Sequence, residues 1–350
     1  MTDVYQKLAI HLDNLPAGFP ATDTGIEIRI LRRLFSSQEA RIAVALTMLP
    51  EPTAAIAARL GMDAGQLAPQ LDKMSRKGLI FRISKAEPLY MAAQFVIGIW
   101  EYHVNDLDPD LIEDFNAYAP FLIKRWNDQK TKQLRVIPIS KSLSPGMEIM
   151  PYEAAEEIIK TQSRIVLSPC ICRKEQKMVG AGCDNLLEAC LSFGSAARYY
   201  EDNGLGRRIS REEALATLQK GIESGLVLQP GNSQRVVNIC MCCGCCCQIL
   251  KNIKKLPYPA KIVNSNYHAT IDQQACVGCG ICQDRCHMDA IALENVAQVD
   301  LNRCIGCGVC VPACDARAIS LCAKPLDEKW IPPVSLVDTY LNMARERGLM

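Results

Sequence analysis

Two stretches of the chain carry thiols at a spacing that organises iron. Residues 276–286 read CVGCGICQDRC, and residues 304–314 read CIGCGVCVPAC. Each is a C-x2-C-x2-C-x3-C string, the arrangement that wraps a cubane [4Fe-4S] cluster. Three thiols on one tight loop reach three irons of one cube, and the fourth ligates the cluster of the other run. The spacing therefore assigns Cys276, Cys279, Cys282 and Cys314 to one cluster, and Cys304, Cys307, Cys310 and Cys286 to a second. Gly278, Gly280, Gly306 and Gly308 fit this reading: the backbone must curl round the sulfurs in conformations open to glycine, and its amides can then donate to sulfur. Zinc is the alternative occupant, although structural zinc sites use separated cysteine pairs.

The two strings are copies offset by 28 residues, and their flanks repeat as well: Ile271-Asp272 matches Val299-Asp300, and Ala290-Ile291 matches Ala318-Ile319. Residues 268–322 resemble the two-cluster bacterial ferredoxins. The resemblance implies a βαβ-repeat fold with the clusters in its core, and one-electron transfer as its job. That family usually has proline directly after the fourth cysteine. Here His287 and Asp315 stand in those places, so the loop exits are expected to differ while the ligand set stays intact. The segment holds six Asp/Glu and three Lys/Arg, an acidic balance suited to docking on a basic patch of a redox partner.

Ten further cysteines precede this segment: Cys170, Cys172, Cys183, Cys190, and the run CMCCGCCC with Cys240, Cys242, Cys243, Cys245, Cys246 and Cys247. Ten thiols exceed one tetrahedral metal, so at least one further iron–sulfur cluster is expected, with zinc or unligated redox thiols as alternatives. Neighbouring residues on an extended chain point opposite ways, so some thiols would be spare or serve a second cluster. The expected ligands are Cys170 or Cys172, Cys183, Cys190 and members of the 240–247 run. Arg173 and Lys174 either offset cluster charge or are ordinary surface charges. RIVLSP reads as a strand leading into Cys170, and RVVNI as a strand leading into Cys240. If those strands lie side by side and parallel, both thiol groups reach one carboxyl edge, where α/β folds place their sites. A helix from about Gln248 would turn its N-terminus toward them and favour thiolate. The block SPCICRKEQ…GCDNLLEACLSFG…NICMCCGCCC, followed by the ferredoxin-like module, resembles cysteine-rich iron–sulfur proteins of anaerobes that carry a four-iron dicluster domain. That resemblance supplies context rather than an activity.

The elements that must position these thiols can also be read. Ser36 with Glu39 signals a helix to about Leu49, broken by Pro50 and Pro52. Thr53 caps TAAIAARLG, which Gly61 ends, and Asp63 opens a helix toward Lys77. LIFRIS and PLYMA read as two strands. Three helices and a hairpin resemble a winged-helix fold, and AAIAARLGMDAGQLAPQLDKMSRKGLI is similar to that family's helix-turn-helix. From Ile26 to Met91 there are ten Lys/Arg and six Asp/Glu, only mildly basic. The recognition-like helix begins Ala64-Gly65-Gln66, with one side chain able to read bases where such helices present several. A protein-docking role is therefore preferred to DNA binding.

Beyond this, AAQFVIGIWEYH and DLIEDFNAYAPFLIKRW read as helices, with His103 a structural histidine. PYEAAEEIIK, a stretch from Ser210 to about Glu223, and QILKNIKK are helical too. The tail SLVDTYLNMARERGLM is an amphipathic helix expected to pack on the body. The fold class is α+β and multidomain: a winged-helix-like domain (1–91), a helical linker (92–149), a small Cys-rich α/β domain (150–262), a two-cluster ferredoxin domain (263–324) and a C-terminal helix (325–350).

Composition bounds the function classes. A net charge of +1 gives no polyanion-binding signature. The start, MTDVYQKLAIHLDNLPAG, lacks the basic-then-apolar pattern of a signal peptide, and the longest apolar run, Met91 to Trp100, is too short to span a bilayer. Nineteen cysteines without an export signal argue for metal ligation in a reducing cytoplasm, in an anaerobic or oxygen-protected setting. No nucleotide-phosphate loop, dinucleotide fingerprint or flavin motif is present, so electrons must come from another protein. Three functions follow: an electron carrier or subunit serving an oxidoreductase, with a flavoprotein or metalloenzyme as partner; a reductase with a substrate-binding cluster among residues 170–247; or a redox-responsive transcription regulator.

Overall fold

The computed structural model describes residues 3–144, 147 and 149–350. The chain divides into two compact units, Met1–Lys130 with Ser195–Arg207 and Tyr340–Met350, and Thr131–Gly194 with Arg208–Thr339.

In the first unit, Ser36 and Glu39 form the expected reciprocal cap of the helix Ser37–Val44, which closes at Ala45 rather than near Leu49. The next helix, Thr53–Leu60, starts on Pro52 at the capping position, with Thr53 inside it; the fixed φ of proline sets that entry. Asp63 accepts from the Gln66 amide at 3.0 Å and opens Ala64–Arg76. Strands β1 (Glu51–Pro52), β2 (Phe81–Ile83) and β3 (Leu89–Met91) form an antiparallel sheet in the order β1-β3-β2.

Helix Pro109–Asn127 has Asp108 as its cap and buries Leu111, Ile112, Phe115, Tyr118 and Leu122 along one stripe. AAQFVIGIWEYH departs from the helical expectation. Val96 is extended, Ile97 has φ 56°, and α-helical geometry covers only Trp100–Tyr102. Its β-branched residues and Gly98 favour neither helix nor regular strand, while burial of Phe95, Ile99 and Trp100 supplies the apolar spacing that suggested a helix. Trp100 stacks on Phe115 at 3.7 Å. His103 is buried, with Nδ1 2.7 Å from the Ile99 carbonyl, a structural ring. The tail forms the helix Leu336–Glu346, with Met343 and Ala344 buried.

The second unit is built on a five-stranded sheet. Its strands are β4 (Ile165–Pro169), β5 (Glu188–Phe193), β6 (Arg207–Ile209), β7 (Val227–Pro230) and β8 (Asn238–Cys242), in the order β6-β4-β5-β8-β7. The pairs β4/β5, β5/β8 and β7/β8 are antiparallel. The two strands that lead into cysteines, β4 and β8, therefore run the same way but are not neighbours, because β5 lies between them. Alternation along the strands sorts the sheet's faces. Ile165, Leu167, Ala189, Leu191, Phe193, Leu228, Ile239 and Met241 join one apolar core with Ile158, Ile159, Leu218 and Ile222 of the helices Ala155–Lys160 and Arg211–Glu223. Cys190, Cys240, Cys242, Ser168 and Gln229 occupy the alternate positions.

The same unit continues into the repeat region. There β9 (Tyr267–Ile271) pairs antiparallel with β12 (Ile319–Ala323), and β10 (Ile291–Leu293) with β11 (Ala297–Val299). The apolar cluster here is small: Tyr267, Ala269, Ile291, Ala297, Ile319 and Leu321 pack with the cysteines themselves.

Candidate metal centres

The repeat region places its eight thiols around two cavities. Cys276, Cys279, Cys282 and Cys314 line one. Cys286, Cys304, Cys307 and Cys310 line the other. In each case three sulfurs come from one run and the fourth from its copy. The four loop glycines have φ between 65° and 79°. Gly306 is doubly constrained, since a Cβ there would run into the Tyr267 carbonyl oxygen.

Backbone amides aim at the sulfurs with the same 28-residue symmetry. Ala290 N–H donates to Cys286 Sγ at 3.2 Å, and Ala318 N–H to Cys314 Sγ at 3.3 Å. Ala269 donates to Cys304 and Ala297 to Cys276, both at 3.4 Å. Asp289 and Arg317 hold φ of 50° and 51° at the residue before two of these donors, so the turn that aims the amide is left-handed in both copies. Such donors stabilise thiolate and tune a metal group bound to it. Burial pushes the Cys307 thiol up to about 12 and raises Cys282, Cys304 and Cys310 as well, so a bound metal must displace their protons. The donor set, its spacing and its amide cradle fit four-iron clusters.

The ten cysteines of the sheet fall into two groups. Cys183, Cys243, Cys245 and Cys246 have sulfurs all within 4.8 Å of one another. Cys243 and Cys246 are buried, Cys183 is half-buried and Cys245 exposed. Cys245 and Cys246 are adjacent yet converge, because residues 244–246 form a turn and the opposite-pointing rule of extended chain does not apply there. At Cys183 burial opposes the thiolate, but hydrogen bonds from the Asn185 side chain and backbone outweigh it and bring the group down to about 6. Burial and the Cys243 sulfur push Cys245 up to about 11.

The other six thiols form a chain of side-chain contacts: Cys170 to Cys172, Cys172 to Cys247, Cys247 to Cys242, Cys242 to Cys240, and Cys240 to Cys190. The strands account for it. Cys190 and Cys240 are register partners across β5 and β8, and Cys242 follows two residues on, on the same face. Gln229 on β7 reaches Cys247 Sγ at 3.7 Å, and Asn238 reaches Cys240 Sγ at 3.7 Å. Hydrogen bonds from neighbouring thiols hold Cys240 and Cys247 well below the ordinary thiol range.

Arg173 touches the tetrathiol group. Its side chain is fully buried, with Nη2 3.1 Å from the Met241 carbonyl and 3.5 Å from Cys243 Sγ. Burial disfavours its charge, yet the Cys170 and Cys243 sulfurs more than compensate and raise its pKa. Sequence reasoning left Arg173 balanced between counter-ion and surface charge; burial excludes the surface. Glu175 is also buried, its carboxyl raised by burial to about 7 although Gln248 donates to it.

His287, in the proline position of the first repeat, ties the repeat region to the sheet cysteines. Its Nδ1 accepts from the Gly244 amide at 3.1 Å and its Nε2 lies 2.7 Å from the Gly225 carbonyl, so the ring is the neutral Nε2–H tautomer. Gly244 sits so close that a Cβ on it would lie 2.7 Å from the His287 carbonyl oxygen. Asp315, at the same place in the second repeat, is exposed.

Residues 297–320 match the family model of the 4Fe-4S binding domain. The match takes in Cys304, Cys307, Cys310 and Cys314. The chain is an iron–sulfur protein with at least one 4Fe-4S site. No curated protein and no solved structure matches it. Among the described residues no helix is long and apolar enough to cross a membrane.

Proposed function

We propose that the chain is an electron-transfer protein, acting as a subunit or dedicated carrier of an oxidoreductase. The observation that carries this is the lining of the two cavities, four sulfurs each, shared crosswise between the repeats. In this reading Cys276, Cys279, Cys282 and Cys314 hold one [4Fe-4S] cluster, and Cys304, Cys307, Cys310 and Cys286 the other. Such clusters supply one-electron chemistry, with potentials of about −400 mV in low-potential ferredoxins. Four cysteine ligands saturate each site, so these centres pass electrons rather than bind substrate. The amides of Ala269, Ala290, Ala297 and Ala318 keep thiolate charge stabilised without adding side-chain charge. Cys170, Cys172, Cys190, Cys240, Cys242 and Cys247 are the candidate ligands of a further cluster. Among the described residues no three of these six have sulfurs all within 4.8 Å of one another, a spread too wide for one ion and open to a multi-iron group. His287 bonds the repeat region to Gly244, in the turn between Cys243 and Cys245.

The first unit suits protein docking. Its helices and three-stranded sheet are compatible with a winged-helix-like module, but two cations of the helix Ala64–Arg76 and its end are committed: Arg76 pairs with Asp72 at 2.8 Å and Lys77 with Glu39 at 2.7 Å. A DNA-reading surface would keep such charges free for phosphate. A reductase role for the sheet cysteines is the second reading, favoured by six thiols where a cube takes four.

The test is anaerobic. The full chain, reduced with a photoreduced flavin, should take up and return at least two electrons, and should give them to a flavoprotein or metalloenzyme that co-purifies from the native cell. A chain that stores no electrons reversibly is not a carrier. A reduced-state EPR signal that changes with a small-molecule substrate would favour the reductase.

A further inference from the structure

The four thiols Cys183, Cys243, Cys245 and Cys246 differ in kind from the others. Cys183 lies 3.7 Å from Cys243 and 3.6 Å from Cys246, and Cys245 lies 3.8 Å from Cys246, sulfur to sulfur. A tetrahedron of thiolates round one ion with metal–sulfur bonds of about 2.3 Å has edges of about 3.8 Å. A four-iron cube demands the opposite: each sulfur sits outward from its own corner, so the ligands are driven well apart. Among the described residues, only these four thiols have sulfurs all within 4.8 Å of one another, and neither the ferredoxin-like eight nor the six-thiol group contains such a set.

A second, independent observation points to permanent negative charge here. The Arg173 guanidinium is fully buried, its partners are the Leu186 and Met241 carbonyls and Cys243 Sγ, and no carboxylate pairs with it among the described residues. A buried cation without a counter-charge is strongly unfavourable, and the sulfurs that face this one are Cys243 of the four-thiol set together with Cys170 and Cys242. Asn185 donates to Cys183 Sγ at 3.4 Å, the kind of outer contact that orients a ligating sulfur. Gly244 forms the bend of the knuckle between Cys243 and Cys245.

We infer that Cys183, Cys243, Cys245 and Cys246 bind one divalent metal ion, iron or zinc, in a tetrahedral all-thiolate site separate from the four-iron clusters. Binding forms four metal–sulfur bonds and releases the remaining thiol protons to solvent. The site carries a net charge of about −2, which Arg173 faces directly. It is the staple of a loop with no regular structure of its own: Cys183 stands in residues 179–187, outside any helix or strand, and the ion would fasten it to the end of β8.

The test measures iron, zinc and acid-labile sulfide in the full-length chain purified anaerobically. In cubanes iron and sulfide are equal. The inference predicts either about one iron per chain in excess of sulfide, or about one tightly held zinc. The variant Cys183→Ala with Cys245→Ala should lose that one ion and leave the acid-labile sulfide content and the reduced-cluster EPR signal unchanged. Loss of about four irons with four sulfides would overturn the inference and place a cube here. Iron equal to sulfide with no zinc in the parent chain would overturn it as well, and that result does not depend on the variant folding. Excess iron and bound zinc distinguish the two ions, the former by a high-spin ferric EPR signal after mild oxidation.

Discussion

The repeat region and the cysteine-rich sheet bring thiols together by opposite means. In the repeat region short local strings do most of the work: three sulfurs of each site lie within seven residues, on loops whose glycines have positive φ. In the sheet, strand pairing does it. Cys190 meets Cys240 only because β5 pairs with β8, and Cys183 meets Cys243 across sixty residues of sequence. The first arrangement holds sulfurs apart round cavities, and the second presses them into contact. Spacing along the chain encodes a metal site only when the chain itself is the scaffold.

The largest effects should come from removing one ligand on either side of this contrast. Cys307→Ala should cost between about one and four irons and the EPR signal of that cluster, because three cysteines leave one iron of a cube without its thiolate. Cys240→Ala should remove the further cluster and leave the two ferredoxin-type signals in place. If Cys240→Ala abolished those signals too, the two regions would be one site and the contrast would fail. Next comes Gly306→Ala, whose methyl must displace the Tyr267 carbonyl from a left-handed position. A loss of about 3 kcal/mol, read by denaturant unfolding of the cluster-loaded protein, is expected.

Glu175 sharpens the contrast through pH. Its carboxyl ionises near 4.5 when unfolded and at about 7 in the fold. Between those values the folded state holds a proton that the unfolded state has lost, so stability falls as pH rises from 4.5 and the loss is complete above 7. Glu175→Gln removes that slope. The variant should gain about 3 kcal/mol on the parent at pH 8 relative to pH 5, measured by denaturation at both values. An equal difference at the two pH values would refute the buried-carboxyl account. Smaller still is the pair His287→Ala and Asp315→Ala, equivalent positions of the two repeats. The first strands the Gly244 amide and the Gly225 carbonyl and should cost about 2 kcal/mol; the second should be close to neutral.

Much of the repeat region was legible because its information is local. The eight thiols, the four glycines and the duplicated Ala-Ile flanks all sit within one stretch, and each is placed by backbone rules that need no distant partner. The sheet was legible in pieces. RIVLSP and RVVNI marked two strands, but EACLSF was missed although Ala189, Leu191 and Phe193 alternate as a half-buried strand should; Cys190 and Ser192 on its other face weakened the signal. Without β5 the antiparallel order could not be seen, nor the split of ten cysteines into four and six. Arg173 was visible as a neighbour of cysteines, but only burial shows which sulfurs it faces. In the first unit, capping residues located helix starts well, whereas the apolar spacing of Phe95 to Trp100 imitated a helix that Gly98 and the β-branched residues prevent.

The most direct test of the electron-transfer account is the iron and acid-labile sulfide content of the full chain purified without oxygen, with EPR of its reduced state. The account predicts at least about eight irons and eight sulfides per chain, four of each per cluster, and a reduced spectrum broadened by two neighbouring paramagnetic clusters. Four irons or fewer, or the signal of one isolated cluster, would contradict it.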